Sequence, residues 1–319
     1  MSRIRIAAIQ MRIGGVNNVD ALCHRLDLAM AAFPWIQMVV MSELAARGPG
    51  VHHAEPLPSE IENRFCALAR RHGIWLVPGS LCESVGELVY NTAPVISPDG
   101  AVVARYRKMF PFAPYEKGIT PGTEFVVFDV PQVGRFGVSI CYDIWIPETT
   151  RTLAAMGAEV VLHPSLTPTI DRDIELALVR SSAAVNQCFI VDVNGLEAGG
   201  NGRSIVAGPD GEIVYQAGEG PQIIPLELDL ERVRRSRAAG VLGLGQPLKS
   251  FRDRPVDFSV YDRNRAAEFP FLPALGPLEK PGRTTPDRKL DAAIAPIAPA
   301  TDEAIAPSVP FPPLPQEPR

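Results

Sequence analysis

Residues 136–148 read Phe136-Gly137-Val138-Ser139-Ile140-Cys141-Tyr142-Asp143-Ile144-Trp145-Ile146-Pro147-Glu148. The apolar run up to Ile140 predicts a buried strand. Pro147 suits the first position of a helix, which Gly157 would end. Cys141 therefore falls on a strand-to-helix turn, where free backbone N–H groups can stabilise a thiolate or an oxyanion. Free cysteine is also among the most buried residue types, so position alone assigns it only to packing. Cys23, Cys66, Cys82 and Cys188 keep that reading. Whether Cys141 does more depends on what the rest of the chain brings beside it.

Outward from this turn, short β-rich runs alternate with amphipathic helical ones. Strands are expected at 4–10, 37–41, 74–78, 125–130, 135–140, 159–162 and 188–193, and helices at 18–32, 59–71, 147–157 and 171–185. The first strand alternates charged and apolar residues (Arg3, Ile4, Arg5, Ile6), which predicts a sheet edge. Ser59 and Glu62 form the pattern of a capping box. Ser97-Pro98-Asp99-Gly100 supplies strong turn chemistry for a hairpin of 90–96 with 101–106, and Pro209-Asp210-Gly211 repeats the design. Hairpins mixed with crossovers give two sheets with helices outside, a layered α/β domain.

The chain has 319 residues, 46% hydrophobic and 21% charged, a globular composition. Lys and Arg number 31 against 36 Asp and Glu, a net charge of −5, so there is no basic footprint for nucleic acid or an anionic membrane. The longest apolar stretch, near 30–41, is broken by Pro34 and Gln37 and is too short to span a bilayer. Five scattered cysteines without CxxC spacing point to a reducing compartment, and the protein is expected to be soluble and cytoplasmic. Composition changes near residue 269: 13 of the 32 prolines lie between 270 and 319. We expect a folded domain over 1–268. Residues 269–319 would then be a Pro/Ala-rich tail, extended, partly disordered or laid across a neighbouring subunit.

Three more residues carry chemistry. Glu43 ends the apolar run Met38-Val39-Val40-Met41, so its carboxylate stands at the mouth of a sheet, where partial burial raises its pKa toward that of a general base. Lys108 closes a strand and precedes Met109-Phe110-Pro111-Phe112, a setting in which its ammonium can hold an oxyanion or keep a carboxylate ionised. Glu116 lies in the same loop, whose prolines and aromatics argue for order. Taken singly, each is equally an ordinary surface residue. Competing motifs are thin. His24, His52, His53, His72 and His163 lack metal-ligand spacing, and no dinucleotide, Walker or nucleophile-elbow motif is present. His163 is the only near imidazole for Cys141, and Pro164 beside it reads as a turn residue.

Four stretches together, Met41-Ser42-Glu43-Leu44, Tyr106-Arg107-Lys108, the Glu116 loop and Ser139 to Glu148, resemble the nitrilase superfamily of carbon–nitrogen hydrolases over roughly residues 3–235. Tyr106-Arg107-Lys108-Met109 with Pro111-Phe112, Pro114 and Glu116 is similar to its aliphatic amidase and formamidase branch. Cys-Tyr-Asp also fits amidases better than nitrilases. The segment His163-Pro164-Ser165-Leu166-Thr167-Pro168 departs from the pattern, with no tryptophan before the helix that carries Arg180.

The resemblance implies a four-layer α-β-β-α sandwich, stacked as αββα–αββα in a homo-oligomer, with no metal or organic cofactor. It implies cleavage of a small carboxamide through a thioester, with Cys141 as nucleophile, Glu43 as base and Lys108 with the Tyr142 N–H as oxyanion donors. Glu116 would orient the others or share the base work, and Tyr142, Phe112 and His163 would contact the substrate. The alternatives are hydrolysis of an N-carbamoyl amino acid, whose carboxylate Arg172 or Arg180 would hold, a nitrilase, and a non-catalytic scaffold.

Overall fold

Alternation of buried faces along the strands sorts the chain into layers. From the N-terminal strand, Ile4, Ile6 and Ala8 join one apolar cluster while Ala7 and Ile9 join another. Such period-two division arises where a sheet is covered on both faces. The computed structural model describes residues 2–14, 17–254 and 256–280, so most of the Pro/Ala-rich tail lies outside the described residues. The chain divides into two units, Met1–Asp257 and Phe258–Arg319. The described part of the second holds only the short helical turns Ser259–Tyr261, Arg263–Glu268 and Phe271–Ala274.

In the first unit, one sheet has the order Gln222–Asp229, Arg3–Gln10, Met38–Met41, Trp75–Val77, Leu88–Ile96, Leu81–Val85, with Val102–Arg107 also paired to Leu88–Ile96. The other runs Ile213–Gln216, Ile205–Ala207, Phe189–Asn194, Val160–Ser165, Gly134–Val138, Val126–Val130. Between the sheets lies a core containing Ile6, Val40, Phe136, Leu162 and Val191. Helices Val19–Ala32 and Glu60–His72 cover the outer face of the first sheet, where Leu26 and Phe65 meet Ile9 and Val39. Pro147–Ala155 and Arg172–Asn186 cover the second, where Leu153 and Val179 meet Val161 and Ile190. The architecture is thus an α-β-β-α sandwich.

Several expectations need correction. The N-terminal strand is not an edge: it pairs antiparallel with Gln222–Asp229 and parallel with Met38–Met41. Its charge alternation has a local cause, since Arg3 and Arg5 both bond Glu227 on the neighbouring strand. The capping box is half made. Ser59 Oγ accepts from Glu62 N, but the Glu62 carboxylate turns to the Arg105 guanidinium in two bonds, at 2.8 and 2.7 Å. His163 and Pro164 are not a turn but part of the buried strand Val160–Ser165. Pairing with Gly134–Val138 stops at Leu162, so Pro164 faces a ladder partner, Val193, on one side only.

Candidate active site

Three strands end at the same mouth of the sandwich and each delivers one group. Met38–Met41 leads to Glu43, Val102–Arg107 to Lys108, and Gly134–Val138 to Cys141. The Ser42 carbonyl beside Glu43 is approached so closely by Gly79 (φ +85°) that a Cβ there would lie 1.8 Å from it, so this contact requires glycine. Cys141 has φ 45°, an uncommon conformation for a non-glycine residue, and starts the short helical turn Cys141–Trp145 that leads into Pro147–Ala155. Asp143 braces this turn. Its carboxylate accepts from Ile140 N (2.8 Å), Tyr106 Oη (2.7 Å) and Phe110 N (2.9 Å), which locks the Cys141 turn to the strand and loop around Lys108.

Lys108 is buried, and its Nζ donates to Glu43 Oε1 at 2.8 Å and to Glu116 Oε2 at 2.6 Å. Glu116 also accepts from the Phe112 N–H, which holds the loop over the site. Asn91, which the sequence reading missed, donates from Nδ2 to Glu43 Oε1 (2.7 Å) and to Glu116 Oε1 (3.3 Å). On the other side, Cys141 Sγ lies 3.7 Å from Leu166 O and 3.8 Å from Thr167 Oγ1.

Burial dominates the electrostatics. It pushes the Glu43 carboxyl up to about 7, aided by the charge of Glu116, while Lys108 and hydrogen bonding with Lys108 and Cys141 pull the other way. Burial also drives the Cys141 thiol well above its ordinary range, and the negative charge of Glu43 adds to this against the pull of Lys108. For Lys108 burial disfavours the ammonium, but Glu43, Cys141 and Glu116 outweigh it and hold the pKa well above that of free lysine. The resting site is therefore a protonated thiol beside a carboxylate poised near neutrality and a permanently charged ammonium.

Glu43, Lys108, Glu116 and Cys141 line a cavity of about 540 Å³, with Phe112 and Tyr142 on its wall. His163 does not line it. The ring is wholly buried behind Cys141, with Nδ1 2.7 Å from Ser139 Oγ, and burial pushes its pKa down to about 4. This corrects its expected contact with substrate. Nor do the two arginines considered for a substrate carboxylate reach the cavity. Arg172 is buried against Asp192 and Glu175, and Arg180 Nε donates to Gly211 O. Trp145, Thr167 and Glu175, by contrast, line the cavity without having been singled out.

A thiol, two carboxylates and an ammonium around one cavity of an α-β-β-α sandwich are the groups of an enzyme that works by nucleophilic attack with acid–base help. The carbon–nitrogen hydrolase family model matches residues 5–238, and the chain belongs to that family. Omega-amidase NIT2 of Homo sapiens is 28% identical over 258 residues, 74% of this chain and 92% of that protein. Among solved structures, Saccharomyces cerevisiae Nit3, a member of branch 10 of the nitrilase superfamily, aligns with TM-score 0.68 and 28% identity over 75% of this chain and 94% of that one. A mutant of the amidase from Nesterenkonia sp. AN1 aligns with TM-score 0.64 and 25% identity over 75% and 95% of the two chains. That structure shows covalent addition of the acetamide moiety of fluoroacetamide at its active-site cysteine. These matches agree with the expected superfamily and with an amidase acting on non-peptide amide bonds. None of the three is named an aliphatic amidase or a formamidase. Among the described residues no helix is long and apolar enough to cross a membrane.

Proposed function

We propose that the protein hydrolyses a small carboxamide through a thioester on Cys141, releasing ammonia or an amine and a carboxylic acid. The observation that carries this reading is the position of Lys108 Nζ, held between Glu43 and Glu116 on the wall of the cavity that Cys141 also lines.

Glu43 takes the thiol proton as Sγ attacks the amide carbon. A raised carboxyl is matched to a raised thiol here, so the proton moves during attack rather than before it. The oxyanion is met by Lys108 Nζ and by the Tyr142 N–H. That N–H lies in the first turn of Cys141–Trp145, where helical donors lack internal acceptors. The protonated Glu43 then gives its proton to the leaving nitrogen and the C–N bond breaks. In the second half Glu43 deprotonates a water, which attacks the thioester, and the sulfur leaves and recovers the proton. Glu116 keeps Lys108 and the Phe112 loop in place. The stacking of two sandwiches in a homo-oligomer belongs to the same reading, on family likeness.

The test is ammonia release from a panel of small amides by the wild type and by Cys141→Ala, Glu43→Gln and Lys108→Ala. Loss in all three is expected, and turnover surviving in all three would overturn the assignment.

A further inference from the structure

Besides the Lys108 group the cavity has an aromatic wall. Phe112, Tyr142 and Trp145 all line it and lie in series, with ring centroids 4.8 Å apart for Phe112–Tyr142 and 6.0 Å for Tyr142–Trp145. The row ends at Glu175, a buried carboxylate that lines the same cavity and accepts from Trp145 Nε1 at 3.2 Å. Thr167 connects this end to the nucleophile, since it bonds Glu175 and its Oγ1 lies 3.8 Å from Cys141 Sγ.

Glu175 shares its cation, and burial pushes its carboxyl up against the pull of Thr167 and Arg172. Its partner Arg172 Nη1, at 3.2 Å, belongs to a guanidinium already engaged by Asp192. His163, with Nε2 3.8 Å from Asp192, stays neutral because burial disfavours its charged form. Two buried carboxylates thus share one cation. At the reacting end, Lys108 is likewise matched against two carboxylates, Glu43 and Glu116. Asp171 adds another acidic side chain to the lining, and among the described residues Lys108 is the only lysine or arginine in it. An aromatic wall that ends on a carboxylate sharing its one arginine with Asp192 attracts organic cations through ring faces and charge together, and repels anions.

Resting on the amidase reading above, the geometry points to a substrate whose acyl chain carries an ammonium group a few bonds from the amide carbon. Glu175 and the Trp145 face receive it, and Glu175 is the residue that sets specificity for the amine-bearing amide. The Thr167 bridge keeps this subsite one side chain from Cys141, so the substrate class is a short aminoacyl amide rather than a long-chain one.

The experiment compares γ-aminobutyramide, butyramide and succinamate near neutral pH. The kcat/KM of the amine is expected to exceed that of butyramide by roughly tenfold or more, with succinamate lowest. In Glu175→Gln, which keeps the size and hydrogen-bonding reach of the side chain, the amine-to-butyramide ratio should collapse toward one. Butyramide or succinamate turned over as well as the amine, or a ratio unchanged in the variant, would overturn the inference and leave the amidase reading standing. A second measurement on the wild type needs neither turnover nor the variant. Propylammonium should slow alkylation of Cys141 by iodoacetamide, followed by mass spectrometry, more than propionate or propanol at equal concentration. Equal protection by all three sinks the inference, whereas absence of turnover on every amide sinks the proposed function instead.

Discussion

Asn91 Nδ2 lies 2.7 Å from Glu43 Oε1, on the same carboxylate oxygen that takes the hydrogen bond from Lys108. The amide stabilises the ionised form of the base without adding charge, and its 3.3 Å contact with Glu116 fixes the spacing of the two acids. Asn91 touches no reacting atom; it is a positioning residue. Replacing it by Leu removes a hydrogen bond to a buried charge, worth on the order of 1.5–3 kcal/mol. The Glu43 pKa, already about 7, should rise by a unit or more, about 1.4 kcal/mol per unit. The acid limb of the pH–rate profile then moves to higher pH while activity at high pH recovers. A loss equal at every pH would show that Asn91 serves structure alone.

The wild-type profile has its own sign. Glu43 must be ionised to accept the thiol proton, so kcat/KM should be low in acid and rise through about pH 7 to a plateau. Rates of amide hydrolysis in buffers of constant ionic strength check this. A limb near the ordinary glutamate value would mean that the base is exposed, contrary to its burial.

Lys108→Met should lower kcat by roughly a hundredfold or more, the usual cost of losing an oxyanion donor. It also removes the cation that pulls the Glu43 pKa down, so the residual activity should have its acid limb shifted to higher pH. Single-turnover acylation separates the two effects, because the first persists above the shifted limb and the second does not.

The Tyr106 hydroxyl donates to Asp143 and accepts from the Met109 N–H at 3.2 Å, joining the Lys108 segment to the Cys141 turn. Tyr106→Phe leaves the Met109 donor without this acceptor and should cost about 1–3 kcal/mol of stability, read from the denaturant midpoint. Because the same hydroxyl spaces nucleophile and ammonium, kcat should fall more than KM rises. An unchanged kcat would place the effect in stability alone.

Glu43, Lys108 and Cys141 each follow a strand end, where a layered fold exposes polar groups to a cavity, but they became legible only together, through the four stretches that resemble one superfamily. Asn91 was not, because a polar residue inside a strand carries no mark of what it faces until the neighbouring strand is placed. Glu175 reads as an ordinary helical glutamate; only packing against Trp145 and Arg172 turns it toward the cavity. The layers followed from hairpins mixed with crossovers, which give two sheets with helices outside. The order of strands did not, since the pairing of Arg3–Gln10 with Gln222–Asp229 joins segments from opposite ends of the first unit. His163 and Pro164 were misread for a related reason: a proline argues against a central strand, yet this one lies where the ladder on one side has already ended.

His163 makes an acid-stability prediction that is independent of turnover. Burial, with Arg172 and Lys108 nearby, depresses its pKa to about 4 against the opposing charge of Asp192. An unfolded chain would bind the proton near the ordinary value of 6.5, so between these values the unfolded state holds more protons than the native one. Stability from this group is therefore full above about pH 6.5 and falls as the pH drops toward 4, by about 3 kcal/mol over the interval. Glu43 and Asp143, raised to about 7 and 6 first by burial, act in the opposite direction over much of the same range. The wild-type curve alone would blur the two contributions. The difference between wild type and His163→Gln isolates the histidine. Denaturant midpoints for the pair should converge as the pH is lowered from 7 to 4, with the variant losing less, and parallel curves would show that the imidazole is not held neutral.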